Sequence, residues 1–199
     1  MHRTGVLATR VVGALLLVML PACEWVTHHV ELEYDAPIAP AAPGPVAASA
    51  GRADARSIAI AQLSDDRSPQ ATIGDVRNGY GMHVANVETT GDPVEWLRQG
   101  LTAELENAGF NLVVVAERYT IAVALDRLHV SASSEYHGTV RISATVLQGD
   151  RRVLAGVYVG TGSAGPSWTA NDEALGSTAD LALQDAIRQF LRDLRRIAR

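Results

Sequence analysis

A period of two runs through residues 139–146: Val140, Ile142, Ala144 and Val146 fall on one side, with Thr139, Arg141, Ser143 and Thr145 on the other. Such alternation commits a stretch to an extended strand with one buried and one wet face, the mark of antiparallel sheet. Ile121, Val123 and Leu125 alternate in the same way up to about Val130, and Gly149-Asp150 turns the chain into a further strand at 153–161. Ser57 to Leu63 reads as a buried strand and Leu112 to Val115 as a short one. Ile73 to Gly81 reads as a hairpin with Asn78-Gly79 at its tip, a pair that accepts the positive φ of a type I′ turn, and residues 82–89 continue it.

Two segments change period. Asp92 is placed as an N-cap with Pro93 at the first helical position; Val94, Leu97, Leu101 and Leu105 form one stripe, and Gly109 closes it with Phe110 folding back. Trp96 lies one residue off that stripe and is either core or surface patch. A second helix starts near Asn171, with Leu183, Ala186, Ile187, Phe190, Leu194 and Ile197 on one face. The sum is an α+β fold: an antiparallel sheet of about five or six strands with two amphipathic helices packed on one face.

The N-terminus has another logic. Arg3 and Arg10 precede the apolar run VVGALLLVML, too short for a permanent membrane span, which needs about 20 residues. Leu20-Pro21-Ala22-Cys23 then resembles a bacterial lipobox, with Pro21 a departure from the usual small residue. The expected organisation is a lipoprotein signal peptide at 1–22, a lipidated anchor and Pro/Ala-rich tether at 23–55, and a single α+β domain at 56–199. Within the tether, Val30, Leu32 and Tyr34 alternate with Glu31 and Glu33 as a short edge strand would. Attached acyl chains contribute about 0.8 kcal/mol per buried methylene, and two or more hold a protein on a membrane. Cys23 is the sole cysteine, so once acylated it leaves the chain no disulfide, thiolate metal site or thiol nucleophile.

The formal net charge is −5 and no basic patch is evident, which disfavours both nucleic acid and direct binding to anionic lipid headgroups. The C-terminal Arg192, Arg195, Arg196 and Arg199 suit a helix C-terminus, where the macrodipole favours cations. No serine sits in a nucleophile elbow and no phosphate loop occurs. His28 and His29 read as polar spacer, and His83, His129 and His137 lack ligand spacing, so neither metal nor cofactor is expected. Trp25 suits a membrane interface. The loops holding Asp65, Arg67, Arg77, Asn78 and Tyr80 are either solvated turns or a partner-binding edge, with Asp65 and Arg67 able to pair with Arg77 or Asp75.

Several of these features in this order resemble YajG-type lipoproteins of Gram-negative bacteria: the lipobox, the Pro/Ala stretch, Asp65-Asp66-Arg67, Ile73-Gly74, Arg77-Asn78-Gly79-Tyr80-Gly81, Val94-Glu95-Trp96-Leu97, Ala108-Gly109-Phe110 and Ala182-Leu183-Gln184-Asp185-Ala186. The resemblance implies a lipid-anchored periplasmic α+β domain without an established enzymatic activity, and it carries over Cys23 alone. Glu24 after the cysteine, where aspartate retains proteins at the inner membrane, points to the outer membrane facing the periplasm. The expected role is a non-catalytic interaction or accessory module, anchored by lipid on Cys23 and contacting another envelope protein. A lipid-binding or transport-auxiliary lipoprotein is the alternative, and a cell-wall-acting enzyme the third reading.

Overall fold

A computed structural model of the chain describes residues 26–35, 56–68, 71–114, 118–166 and 170–198. Cys23, Trp25, Trp168, Arg199 and most of the Pro/Ala stretch lie outside them.

Among the described residues ten elements follow in order: β1 (Val26–Val30), β2 (Ser57–Asp65), β3 (Thr72–Arg77), β4 (His83–Thr89), α1 (Pro93–Asn107), β5 (Asn111–Leu112), β6 (Tyr119–Ala132), β7 (Glu135–Gln148), β8 (Arg151–Pro166) and α2 (Asp172–Ile197). All eight strands form one sheet organised around β6. One flank of β6 pairs antiparallel with β7, which pairs antiparallel with β8. The other flank is shared. Its first half, Tyr119 to Leu125, runs parallel to β2, and its last residues, Val130 to Ala132, run parallel to β3. β4 pairs antiparallel with β3, β1 parallel with β4, and β5 parallel with β2.

This corrects the expected sheet. It has eight strands rather than five or six, and four of its seven pairings are parallel. Alternation reports which face of a strand is buried and is silent about its neighbour's direction. Parallel neighbours need a long crossover, and α1 lies on the connection that leads from β2 and β3 to their parallel partners β5 and β6. The buried faces themselves fall where the alternation puts them: Val140, Ile142, Ala144 and Val146 are at most 2% exposed.

Both helices are capped as their sequences require. Asp92 accepts from Val94 N–H (2.9 Å) and Asn171 from Glu173 N–H (2.8 Å). Gly109, at φ 81°, ends α1, and Phe110 N–H returns to the Leu105 carbonyl (3.0 Å). Trp96 belongs to the core: it is fully buried, and its Nε1–H donates to Asp180 of α2 (2.7 Å). Close approach of α2 to the sheet is made by glycine. A side chain at Gly160 would run into the Ala182 carbonyl and the Ala186 amide, and one at Gly162 into the Thr178 carbonyl.

The hairpin at 73–89 exists, but its turn is not type I′. Positive φ falls at Gly81 (80°) and on no non-glycine residue. Gly81 N–H donates to the Asn78 carbonyl (2.8 Å), and Asn78 Oδ1 accepts from the amides of Tyr80 (3.0 Å) and Met82 (3.1 Å). Asn78 thus closes the turn with its side chain.

The N-terminal strand covers Val26–Val30 rather than the predicted Val30 to Tyr34: it ends where that alternation begins, residues 31–35 follow without regular structure, and Val30 and Leu32 still reach the core. Folded structure therefore lies on both sides of the Pro/Ala stretch, which joins β1 to β2 as well as following the cysteine. Strand β8 has one strand partner, and at its centre α2 guards the free edge: Thr161 N–H donates to Asp185 (3.1 Å), and Gln189 donates to the Val159 carbonyl (2.7 Å). No described helix is long and apolar enough to cross a membrane.

Candidate functional site

The five loop residues singled out by sequence fall in two places. Asp65 and Arg67 sit where β2 leaves β6, beside Leu125. Arg67 is buried, and its Nε and Nη2 donate to the two Asp65 oxygens (2.7 and 2.8 Å) while its backbone N–H closes an Asx turn on the same carboxylate. Burial pushes the Asp65 carboxyl up, but the Arg67 hydrogen bonds outweigh it and hold its pKa below the usual value. This pair fastens the seam where β3 succeeds β2 along β6, and among the described residues Arg67 Nη1 finds no acceptor.

Arg77, Asn78 and Tyr80 belong to the β3–β4 hairpin. Arg77 donates to Asp75 (2.6 Å) and to the Gly81 carbonyl (3.2 Å), so the ion pairs close locally rather than bridging the two loops. His129 on β6 approaches Asp75 (3.5 Å), and burial holds its pKa below the ordinary histidine value despite that carboxylate. Tyr80 is 90% exposed.

Between the helices runs a polar seam that sequence reasoning did not find. Glu104 of α1, 5% exposed, accepts from Gln184 (2.8 Å), Arg188 (3.2 Å) and the Tyr34 hydroxyl (3.3 Å). Burial and the neighbouring Glu104 raise the pKa of the Tyr34 phenol. Burial likewise lifts the Asp180 carboxyl to about 6, against the opposing hydrogen bond from Trp96.

The charges are segregated along the molecule. At the end where β2 and β6 begin and both helices finish, Arg56, Arg118, Arg151, Arg152, Arg195 and Arg196 gather. There a cleft of about 450 Å³ is lined by Tyr119, Gln148, Arg151, Arg152, Val153 and Ile197. The Arg118 guanidinium lies 5.3 Å from the centre of the Tyr119 ring, whose hydroxyl donates to the Ile197 carbonyl (3.0 Å). A second cleft, of about 400 Å³, lies along β1 and the start of α2 and is acidic, with Glu31, Glu33, Asp35, Asp172, Glu173 and Asp180 on its walls. No described cluster of ligating side chains could hold a metal ion. Arg195 and Arg196 lie in the last turn of α2, where the helix dipole favours them, and the fold gathers further arginines at that end. Arg56, Arg118 and the pair Arg151–Arg152 are far apart in the chain, and only the parallel β2–β6 pairing and the β7–β8 turn bring them to the same end.

The sequence matches no protein-family model and no curated protein. Its fold is similar to that of protein XCC0632 from Xanthomonas campestris, of family DUF330, with a TM-score of 0.51 and 16% identity over 87% of this chain and 99% of that one. Protein CT253 of Chlamydia trachomatis (TM-score 0.44, 7% identity, 71% and 95% covered) and lipoprotein GNA1162 of Neisseria meningitidis (TM-score 0.35, 11% identity, 71% and 97% covered) are more distant. At such identities the similarity to the Xanthomonas protein is one of fold.

Proposed function

We propose that this chain is a lipid-anchored envelope protein of the YajG-like kind that works by docking an acidic partner protein at its arginine-rich end, without catalysis. The observation that carries the reading is the polarity of the fold. The chain enters β1 three residues after Cys23, at the end of the sheet where β3 and β6 finish, and the arginine-lined cleft lies at the opposite end. The 14 residues of β6 span roughly 45 Å between these ends at ~3.3 Å per residue. A partner held by lipid at one end and by charge at the other is met away from the membrane, with the outer membrane's periplasmic face as the setting that Glu24 favours. Arginine clusters with an aromatic platform suit carboxylate recognition.

The carrier alternative needs an apolar cavity. Both described clefts carry charged side chains, Arg151 and Arg152 in one and a row of carboxylates in the other, which favours docking over carriage.

In cells fed a clickable palmitate, the wild-type chain takes up the label and Cys23→Ser does not. A photocrosslinker at Gln148 captures an envelope protein, and one at Thr145 on the open sheet face does not. Equal capture at the two positions rejects the docking site, whereas a native mass spectrum with bound phospholipid puts the carrier reading in its place.

A further inference from the structure

Only Glu24 and Trp25 stand between Cys23 and Val26, the first residue of β1. Three residues reach at most ~11 Å when fully extended. The folded domain is therefore held close to whatever Cys23 is fixed in, and the β1 register decides which part of it comes nearest. Val26 lies beside Ala85, three residues beyond Met82, so the start of β1 shares its end of the sheet with the β3–β4 turn.

That end is apolar where it is exposed. Eight large hydrophobic residues stand out among the described residues, and four of them are here: Tyr80 (90% exposed), Val26 (61%), Met82 (59%) and Val84 (41%). Isolated exposed hydrophobics are ordinary on a protein surface, but a group of them at one end needs an occupant. The turn presenting Tyr80 and Met82 is fixed by the Asn78 hydrogen bonds and by Gly81, so these two are held out on a closed hairpin, with Val26 beside it on β1.

We infer that this hairpin tip, led by Tyr80 and Met82, is a second membrane contact that inserts into the interfacial layer of the bilayer holding Cys23. The inference rests on the proposed lipid anchor. Tyrosine favours that layer because its ring is apolar and its hydroxyl stays hydrated. The contact need not be strong alone, because the anchor makes it intramolecular, at high effective concentration. The anchored domain is then fixed in orientation, with its arginine-rich end turned outward.

The mature chain from Cys23 contains every described core residue and has a single thiol. Coupling that thiol to a maleimide headgroup in phosphatidylethanolamine–phosphatidylglycerol vesicles supplies the anchor chemically. Two variants, Tyr80→Trp and Val157→Trp, then report through quenching by brominated acyl chains; both replace exposed residues, and Val157 lies in the middle of β8. The added indole at 80 should be quenched well beyond the parent's background, and that at 157 should not. Equal quenching at both positions, or none at either, overturns the inference. Because the coupling is chemical, this result is independent of palmitate uptake in cells, so failure of the hairpin contact and failure of the lipid anchor are read separately.

Discussion

Asp180 lies on α2 with its Oδ1 on the Trp96 indole and its Oδ2 near the Asp35 amide (3.4 Å), and burial lifts its pKa from the ordinary 3.8 to about 6. The folded chain thus holds a proton between those values that the unfolded chain has released. Stability falls as pH rises from about 4 to 6, by up to about 3 kcal/mol at ~1.4 kcal/mol per pH unit. Asp180→Asn keeps an acceptor for Trp96 and removes the titration. Its urea midpoint should lie above the wild type's at pH 7.5 and match it at pH 4.5; a constant gap across that range would contradict this account. Asp65 has the opposite sign. Its pKa is depressed, so its contribution is complete at neutral pH and disappears as pH falls below about 4 through the folded pKa. Asp65→Ala strands a guanidinium whose side chain is 4% exposed, at a cost of about 3–5 kcal/mol. Thermal melts at pH 7 should show the loss, and Asp65→Asn should recover part of it; a melt unchanged by the alanine would mean that the pair is not holding the seam.

At the scale of elements, the helices were legible and the sheet only half so. Asp92, Pro93, Gly109 and Asn171 are local signals with local causes: α1 begins and ends on the first three, and α2 begins on the last. The buried face of β7 was likewise written in its own residues. Strand direction was not, since the pairing of Ile58 with Tyr119 and of Gly74 with Val130 depends on contacts between distant segments. The same holds for the candidate sites. Tyr80 was visible as a turn residue, but its neighbourhood with Val26 comes from the β1–β4 register, and the arginine cluster comes from strand ends meeting. The glycines of β8 read in sequence only as breaks in the alternation, whereas in the fold they let α2 lie against the strand. Gly160→Val should push the helix off the sheet and cost at least about 1–3 kcal/mol, seen as a lowered denaturation midpoint and faster amide exchange along α2. An unchanged midpoint would show that the helix–sheet spacing is looser than the backbone contacts require.

The whole molecule is a lever with dissimilar ends. One carries Val26, Tyr80 and Met82 together with the chain that leads back to Cys23; the other carries six arginines, of which Arg151 and Arg152 line an open cleft. The acidic cleft flanks β1 and the first turns of α2, where His28 also meets Asp172 (2.6 Å). Charge of this kind is screened over roughly 8 Å at physiological salt, so attraction at the arginine end acts at short range and adds orientation more than reach. The guarded centre of β8 has a consequence for the proposed lipid-anchored form. Molecules crowded in two dimensions meet side by side, and a bare strand edge in that setting is a template for fibrous aggregation. Asp185 and Gln189 occupy backbone positions at Thr161 and Val159 through which a neighbouring copy would otherwise begin to zip. In the proposed anchored form, that stretch of β8 is therefore closed to strand addition by a second copy.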